Sequence, residues 1–171
     1  MTNRILSYQF NRLKFNLSMG LENKIRQSET RWPNGNIKTR YQFLDEEKHG
    51  TQLEYSEEGK LQNKYEYVNG ERHGLGTGYY PDTGFKKFEK EYKDGERHGY
   101  SSAWFPNGDL HYTLEYYDAK RHGKHEGWRQ DGTKEYEYNF KHGKRHGSYT
   151  VYRQNGSIET DRIYKEGNRI K

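Results

Sequence analysis

The sequence predicts an all-β protein, an elongated single-layer antiparallel sheet of tandem β-hairpin repeats. Three observations carry that prediction. His-Gly pairs begin at His49, His73, His98, His122 and His146, spaced by 24, 25, 24 and 24 residues. A period in that range marks one small supersecondary unit copied and stacked, not a globule around one centre. A second column of turn glycines, Gly35, Gly59, Gly84, Gly108, Gly132 and Gly156, runs half a period out of phase, each behind Asn, Asp, Glu or Thr. Eight residues after each of these glycines stands a ring: Phe43, Tyr67, Tyr92, Tyr116, Phe140 and Tyr164. Two turns per unit leave about nine residues for each of two strands, which is a hairpin.

The array is expected to fill residues 1–171 as one domain, with a degenerate N-terminal hairpin over 1–30 and about six repeats over 31–171. At the start, Leu6, Phe10, Leu13, Leu17 and Leu21 fall at helical spacing, while Leu13, Phe15, Leu17, Met19 and Leu21 alternate. Sliding the repeat back by one period puts Asn11 in the turn-glycine column and Met19 in the ring column, which favours the hairpin. An amphipathic helix is the alternative. Both ends replace the histidine of the inner repeats by isoleucine, Ile25 and Ile170, so the ends are expected to cap the array or to dock to another subunit.

A third column lies eleven residues after the turn glycine. Gly70, Gly95, Gly143 and Gly167 occupy it, and Glu46 and Ala119 break it. A left-handed backbone costs a residue with a Cβ roughly 1–2 kcal/mol. The turn at Ala119 is therefore predicted to differ in shape from the turn at Gly95.

If each turn glycine closes a three-residue loop, Tyr55 pairs with Leu61, Leu53 with Asn63 and His49 with Tyr67. Alternation along the strands then predicts one face with Thr51, Leu53, Tyr55, Leu61, Tyr65 and Tyr67, and a charged face with Gln52, Glu54, Lys64 and Glu66. The same sorting groups Trp104, Leu110, Tyr112, Leu114 and Tyr116.

Composition agrees once the array is recognised. Leu, Ile, Val and Phe make up only 25 of 171 residues and 32% are charged, a balance that in a chain without repeats signals disorder. Here 17 Tyr and 3 Trp supply the apolar area, and they recur in register. With no cysteine in the chain there is no disulfide, thiolate ligand or cysteine nucleophile. No stretch reads as a signal peptide or a membrane span, because Gln9, Asn11, Arg12, Lys14 and Asn16 interrupt Ile5 to Leu21. A cytoplasmic protein is the expectation.

Residues Tyr67 to Gly76 read Tyr-Val-Asn-Gly-Glu-Arg-His-Gly-Leu-Gly, with Tyr80, Pro81 and Asp82 after them. This resembles a MORN repeat, whose pattern is Tyr-x-x-Gly-x-x-His-Gly-x-Gly. Tyr92 to Gly99, Phe140 to Gly147 and Tyr164 to Arg169 are similar to its first part, and the likeness covers roughly residues 31–171. The 24-residue period, with Leu61, Leu110 and Ile158 after the turn, is closer to the variant MORN repeats of bacterial antitoxin-like proteins and giant-virus arrays. The resemblance implies a single-layer twisted sheet used for protein attachment, and sometimes for lipid-surface contact, with no catalytic residue. The glycine after His-Gly-x is kept only at Gly76, so what the family implies for it does not extend to the other repeats.

Enzyme chemistry finds little purchase. His142 and His146 are spaced like a helical metal pair, but Gly143 puts them in a turn and the repeat offers no third ligand. Gly74, Gly76 and Gly78 lack the strand-to-helix context of a phosphate loop. Glu89, Glu91, Glu115, Glu135 and Glu137 lie among lysines as a solvated face. No catalytic residue, metal or cofactor is expected.

The expected function is non-enzymatic: a protein-protein interaction module or scaffold, antitoxin-like or a component of an assembly. Its candidate binding residues are Tyr55, Tyr79, Trp104, Tyr112, Trp128, Tyr136 and Tyr152, on the expectation that one layer leaves part of a ring stripe accessible. The opposing view is that neighbouring rings shield each other and the stripe is structural. The second candidate set is a basic edge, Arg72, Arg97, Arg121 and Arg145, which would bind anionic lipid surfaces; alternatively these residues are structural, with Glu47, Glu71 and Glu96 neutralising them locally. A net charge of +5 is mild for a nucleic-acid binder. The expected partners are therefore another protein, with anionic lipid as the alternative, and self-association through open sheet edges.

Overall fold

The computed structural model of the protein describes residues 25–171. All of its regular structure is strand. In chain order these are β1 (Arg26–Arg31), β2 (Ile37–Leu44), β3 (Glu47–Lys48), β4 (Gly50–Tyr55), β5 (Leu61–Val68), β6 (Glu71–Arg72), β7 (Gly74–Tyr79) and β8 (Lys86–Lys93). They continue with β9 (Glu96–Trp104), β10 (Leu110–Tyr117), β11 (Lys120–Trp128), β12 (Lys134–Lys141), β13 (Lys144–Tyr152), β14 (Ile158–Lys165) and β15 (Asn168–Arg169). They form one open antiparallel sheet in sequence order, with β3 and β6 as short spurs on β2 and β5. The expected single-layer hairpin array is what is found. The expected N-terminal hairpin lies mostly outside the described residues.

Two turn chemistries build each repeat. At the first, the amide of Gly59 donates to the Ser56 carbonyl at 3.0 Å and the amide of Ser56 donates to Lys60 at 2.8 Å, with Gly59 at φ 82°. This is the expected three-residue loop with a left-handed glycine. The residue before the glycine is Asn or Asp in four of these loops because its side chain accepts from the amide two residues on, as from Asp109 to Asn107 at 3.1 Å and from Thr133 to Asp131 at 2.9 Å. At the second turn both central residues have positive φ, as at Asp94 (50°) and Gly95 (80°), the mirror-image type I turn that matches strand twist. Its second amide bonds the previous repeat: Gly70 to the Lys48 carbonyl, Gly95 to Arg72, Gly143 to Arg121 and Gly167 to Arg145, at 2.8–2.9 Å.

The structure corrects two expectations. Ala119 has φ 59° and Glu46 φ 72°, so both adopt the backbone of the glycines they replace. The turn at Ala119 keeps the common shape because its amide still reaches the previous repeat, at the Arg97 carbonyl.

The second correction concerns register. Tyr55 does pair with Leu61, but Glu54 pairs with Asn63, leaving Gln62 as an extra residue, and Leu53 and Gly50 then face Lys64 and Tyr67. The same bulge recurs at Lys38, Lys87, His111, Glu135 and Glu159. A bulge reverses the parity of everything beyond it. Gln52 and Glu54 therefore share a face with Tyr65 and Tyr67, while Thr51, Leu53, Tyr55 and Leu61 lie on the other with Lys64 and Glu66.

One face is thus a ring face and the other a polar face. On the ring face, rings of one strand lie over small residues of the next. A Cβ at Gly127 would stand 2.3 Å from the Tyr136 ring, and one at Gly76 would stand 2.7 Å from Tyr65. Gly76 and Gly78 are thus strand residues that accept rings. Tyr65, Tyr67, Ser101, Ala103, Leu114 and Tyr164 form the buried centre of this layer. The polar face carries ion pairs, including a square in which Lys124 and Lys134 each bridge Glu126 and Glu137 at 2.6–3.2 Å.

Candidate functional site

The bulge divides the candidate aromatics. Tyr112 pairs with Ala103 and Gly127, and Tyr136 with Gly127 and Val151, which places both on the ring face. Trp104 pairs with Leu110 and Trp128 with Lys134 on the far side of the bulge, which turns them to the polar face. Tyr55, Tyr79 and Tyr152 hold the equivalent position. Contacts agree: Lys134, which bridges Glu126 and Glu137 on the polar face, lies 5.9 Å from the Trp128 ring, and Lys86 lies 5.6 Å from Trp104. All seven are half-buried. They form two stripes on opposite faces instead of one.

The basic column folds onto the ring face. The Arg72 guanidinium lies 4.0 Å over Tyr65 and 5.5 Å from Tyr92, and its Nε donates to the Tyr67 hydroxyl at 3.3 Å. Arg97 lies over Tyr116, Arg121 over Phe140, and Arg145 over Tyr149 and Tyr164, at 4.6–5.6 Å. Lys48 continues the series over Tyr41 and Tyr67. Among the described residues Glu47, Glu71 and Glu96 make no ion pair with this column, so the cations are held by rings and hydroxyls.

Three of the five histidines of the His-Gly pairs point to an acidic residue of the next turn. Nδ1 of His73 is 3.4 Å from Asp94, that of His98 is 3.5 Å from Asp118, and that of His146 is 3.2 Å from Glu166. His122 instead meets the His142 ring, with centroids 5.1 Å apart. His146 and His142 belong to different contacts, and no group of three metal-ligating side chains converges among the described residues.

Two further residues stand out that repeat counting does not single out. His125 is enclosed by Tyr112, Tyr136, Tyr138 and Phe140, with centroids 5.1–6.2 Å away. Burial, with Arg121 nearby, pushes its pKa down to about 4. Lys90 lies 4.0 Å over the Phe88 ring on the ring face, between Gly76 and Ser101. Burial, then Arg97, Arg72 and Lys87, hold its ammonium below the ordinary lysine range. The sequence did carry a sign of Lys90. It stands in the column of Tyr41, Tyr65, Leu114, Tyr138 and Arg162.

No family model matches this chain, and no curated protein matches it either. What the arrangement can do chemically rests on the geometry itself. It offers half-buried rings interleaved with cations on one face and a Trp/Tyr stripe under lysines on the other.

Proposed function

We propose that this chain is a non-enzymatic binding array that engages another protein, with the ring face as its main surface. One observation carries this reading. The ring face is a continuous bed of tyrosines and stacked cations with no second layer over it among the described residues. Half-buried Tyr and Arg in a water-poor setting are the side chains in which interface energy concentrates. The partner's role would follow the MORN likeness: a toxin that the array blocks, or a component that it bridges into an assembly. That likeness rests on the His-Gly and Tyr-x-x-Gly columns. The protein-partner reading is favoured over the lipid-surface reading because Arg72, Arg97, Arg121 and Arg145 lie against rings, whereas lipid headgroups are met by protruding, fully hydrated charges.

The test is capture of binding proteins on the immobilised chain at low and high salt. Two folded variants are compared with it, Tyr112→Ala with Tyr136→Leu on the ring face and Trp104→Ala with Trp128→Ala on the polar face. A specific partner retained at high salt and lost with the ring-face substitutions is the expected outcome. Retention by both variants, or capture that high salt abolishes, defeats the reading.

A further inference from the structure

Lys90 occupies a position that the four other inner repeats fill with Tyr41, Tyr65, Leu114 and Tyr138, and that only the last repeat also gives to a cation, Arg162. Its equivalents Tyr65 and Leu114, in the repeats on either side, are among the most buried residues of the sheet, at 9% and 7% exposure. A lysine in such a place loses hydration, and its ammonium is ordinarily compensated by a carboxylate. Here none adjoins it: from Asn63 to Tyr116 the strand register places no Asp or Glu on the ring face, and the ring-face carboxylate of Glu54, on β4 three strands from β8, is already bonded by Gln52 and Asn63. Two more cations share the patch instead. Arg72 lies over Tyr92, two residues along the strand from Lys90, and Arg97 stands opposite Tyr92 in the register. Their partners among the described residues are rings and tyrosine hydroxyls. Beside Lys90, the hydroxyl of Ser101 is buried with no hydrogen-bond partner. Glu89 and Glu91, the neighbours of Lys90 in sequence, lie on the opposite face, where Glu89 holds Lys86 at 2.6 Å.

From this we infer that Arg72, Lys90 and Arg97 form a carboxylate-binding site on the ring face, whose occupant is an acidic segment of a partner polypeptide. This rests on the protein-binding reading above and adds the chemistry of the partner. An incoming Asp or Glu supplies the missing counter-charge to Lys90, while flanking apolar side chains lie on Tyr92 and Phe88. A local conflict with the repeat's own packing, left uncompensated within the chain, is what a binding site looks like in an otherwise self-consistent array. A polypeptide is preferred to a membrane because the three cations are half-buried among rings, within reach of a side chain but recessed from a flat headgroup layer.

The probe is a fluorescein-labelled peptide of about twelve residues of Glu-Leu-Gly repeats, beside its Gln-Leu-Gly counterpart, titrated against the full chain. The acidic peptide should bind at least ~10-fold more tightly than the neutral one. Lys90→Met keeps the stem on Phe88 and removes the charge, and should weaken acidic-peptide binding by about fivefold or more. Lys144→Gln, on an exposed lysine of the turn edge, should change it less than about twofold. If Lys90→Met does not fold by circular dichroism, Arg97→Gln is read in its place with the same threshold. Equal binding of the two peptides, or no loss on either substitution, overturns the inference. So does binding to phosphatidylserine vesicles that Lys90→Met weakens, in the absence of peptide binding. If a captured protein partner is retained undiminished by Lys90→Met, the site is refuted while the binding-array reading stands.

Discussion

The amide of Ala119 donates to the carbonyl of Arg97 at 3.0 Å, the bond that Gly95 makes to Arg72 and Gly143 to Arg121. The ladder between turn tips is a backbone property, and it holds Ala119 at φ 59° despite its Cβ. The strain is stored, not relieved by a change of turn.

Ala119→Gly should therefore stabilise the protein by about 1 kcal/mol, the left-handed penalty less the extra chain entropy of glycine. Thermal unfolding read by circular dichroism checks it. A melting temperature unchanged or lowered would mean that the turn is not strained.

Gly127→Ala should act in the opposite direction and for a different reason. Its backbone is not left-handed, but an added methyl would stand 2.3 Å from the Tyr136 ring. Overpacking of this kind costs about 1–3 kcal/mol. Tyr136→Leu in the same chain should recover part of the loss, and a purely additive double mutant would show that the ring is not what the methyl meets.

His125 should make stability depend on pH. Its folded-state pKa is lowered to about 4 by burial and Arg121, while an unfolded histidine titrates near 6.5. As pH falls, the unfolded chain takes up the proton first. The neutral imidazole's contribution is thus complete above about pH 6.5 and is lost progressively down to about pH 4. With the ring partly solvent-accessible, the difference is on the order of 1–2 kcal/mol after screening. The gap between wild type and His125→Gln in urea unfolding should change across that window. A constant gap would place the proton elsewhere.

The opposed placement of the ring stripes separates two variants that would otherwise read as one. Trp128→Ala removes a polar-face ring under Lys134 and should leave ring-face binding within about twofold. Tyr112→Ala, facing Ala103, Gly127 and His125, should reduce it by about tenfold or more. Equal losses from the two would mean that the partner wraps both faces.

The period, the turns and the order of the strands could be read from the residues because glycines and rings recur at fixed offsets, and each repeat contacts only its neighbours. The assignment of faces could not be read in the same way. Leu61 is followed by three polar residues, Gln62, Asn63 and Lys64, so no alternation there distinguishes a bulged strand from a regular one, and the extra residue shows only in the pairing of Glu54 with Asn63. A trace was present in that the bulged position is polar in each repeat: Lys38, Gln62, Lys87, His111, Glu135 and Glu159. Ala119 misled because a local cost of about 1–2 kcal/mol was weighed without the tertiary hydrogen bond that overrides it. His125 and Lys90 became meaningful only once strand pairing showed what surrounds them.

Strand order follows chain order, so the first and last described strands lie at opposite ends of the sheet. A pull applied to those two ends runs across the strands. It opens the ladder one hydrogen-bonded pair at a time instead of loading many in shear. Such an array should lengthen under small forces by shedding hairpins from its ends, each 24-residue unit releasing about 80 Å of contour. In that respect the sheet would extend under load instead of holding its length.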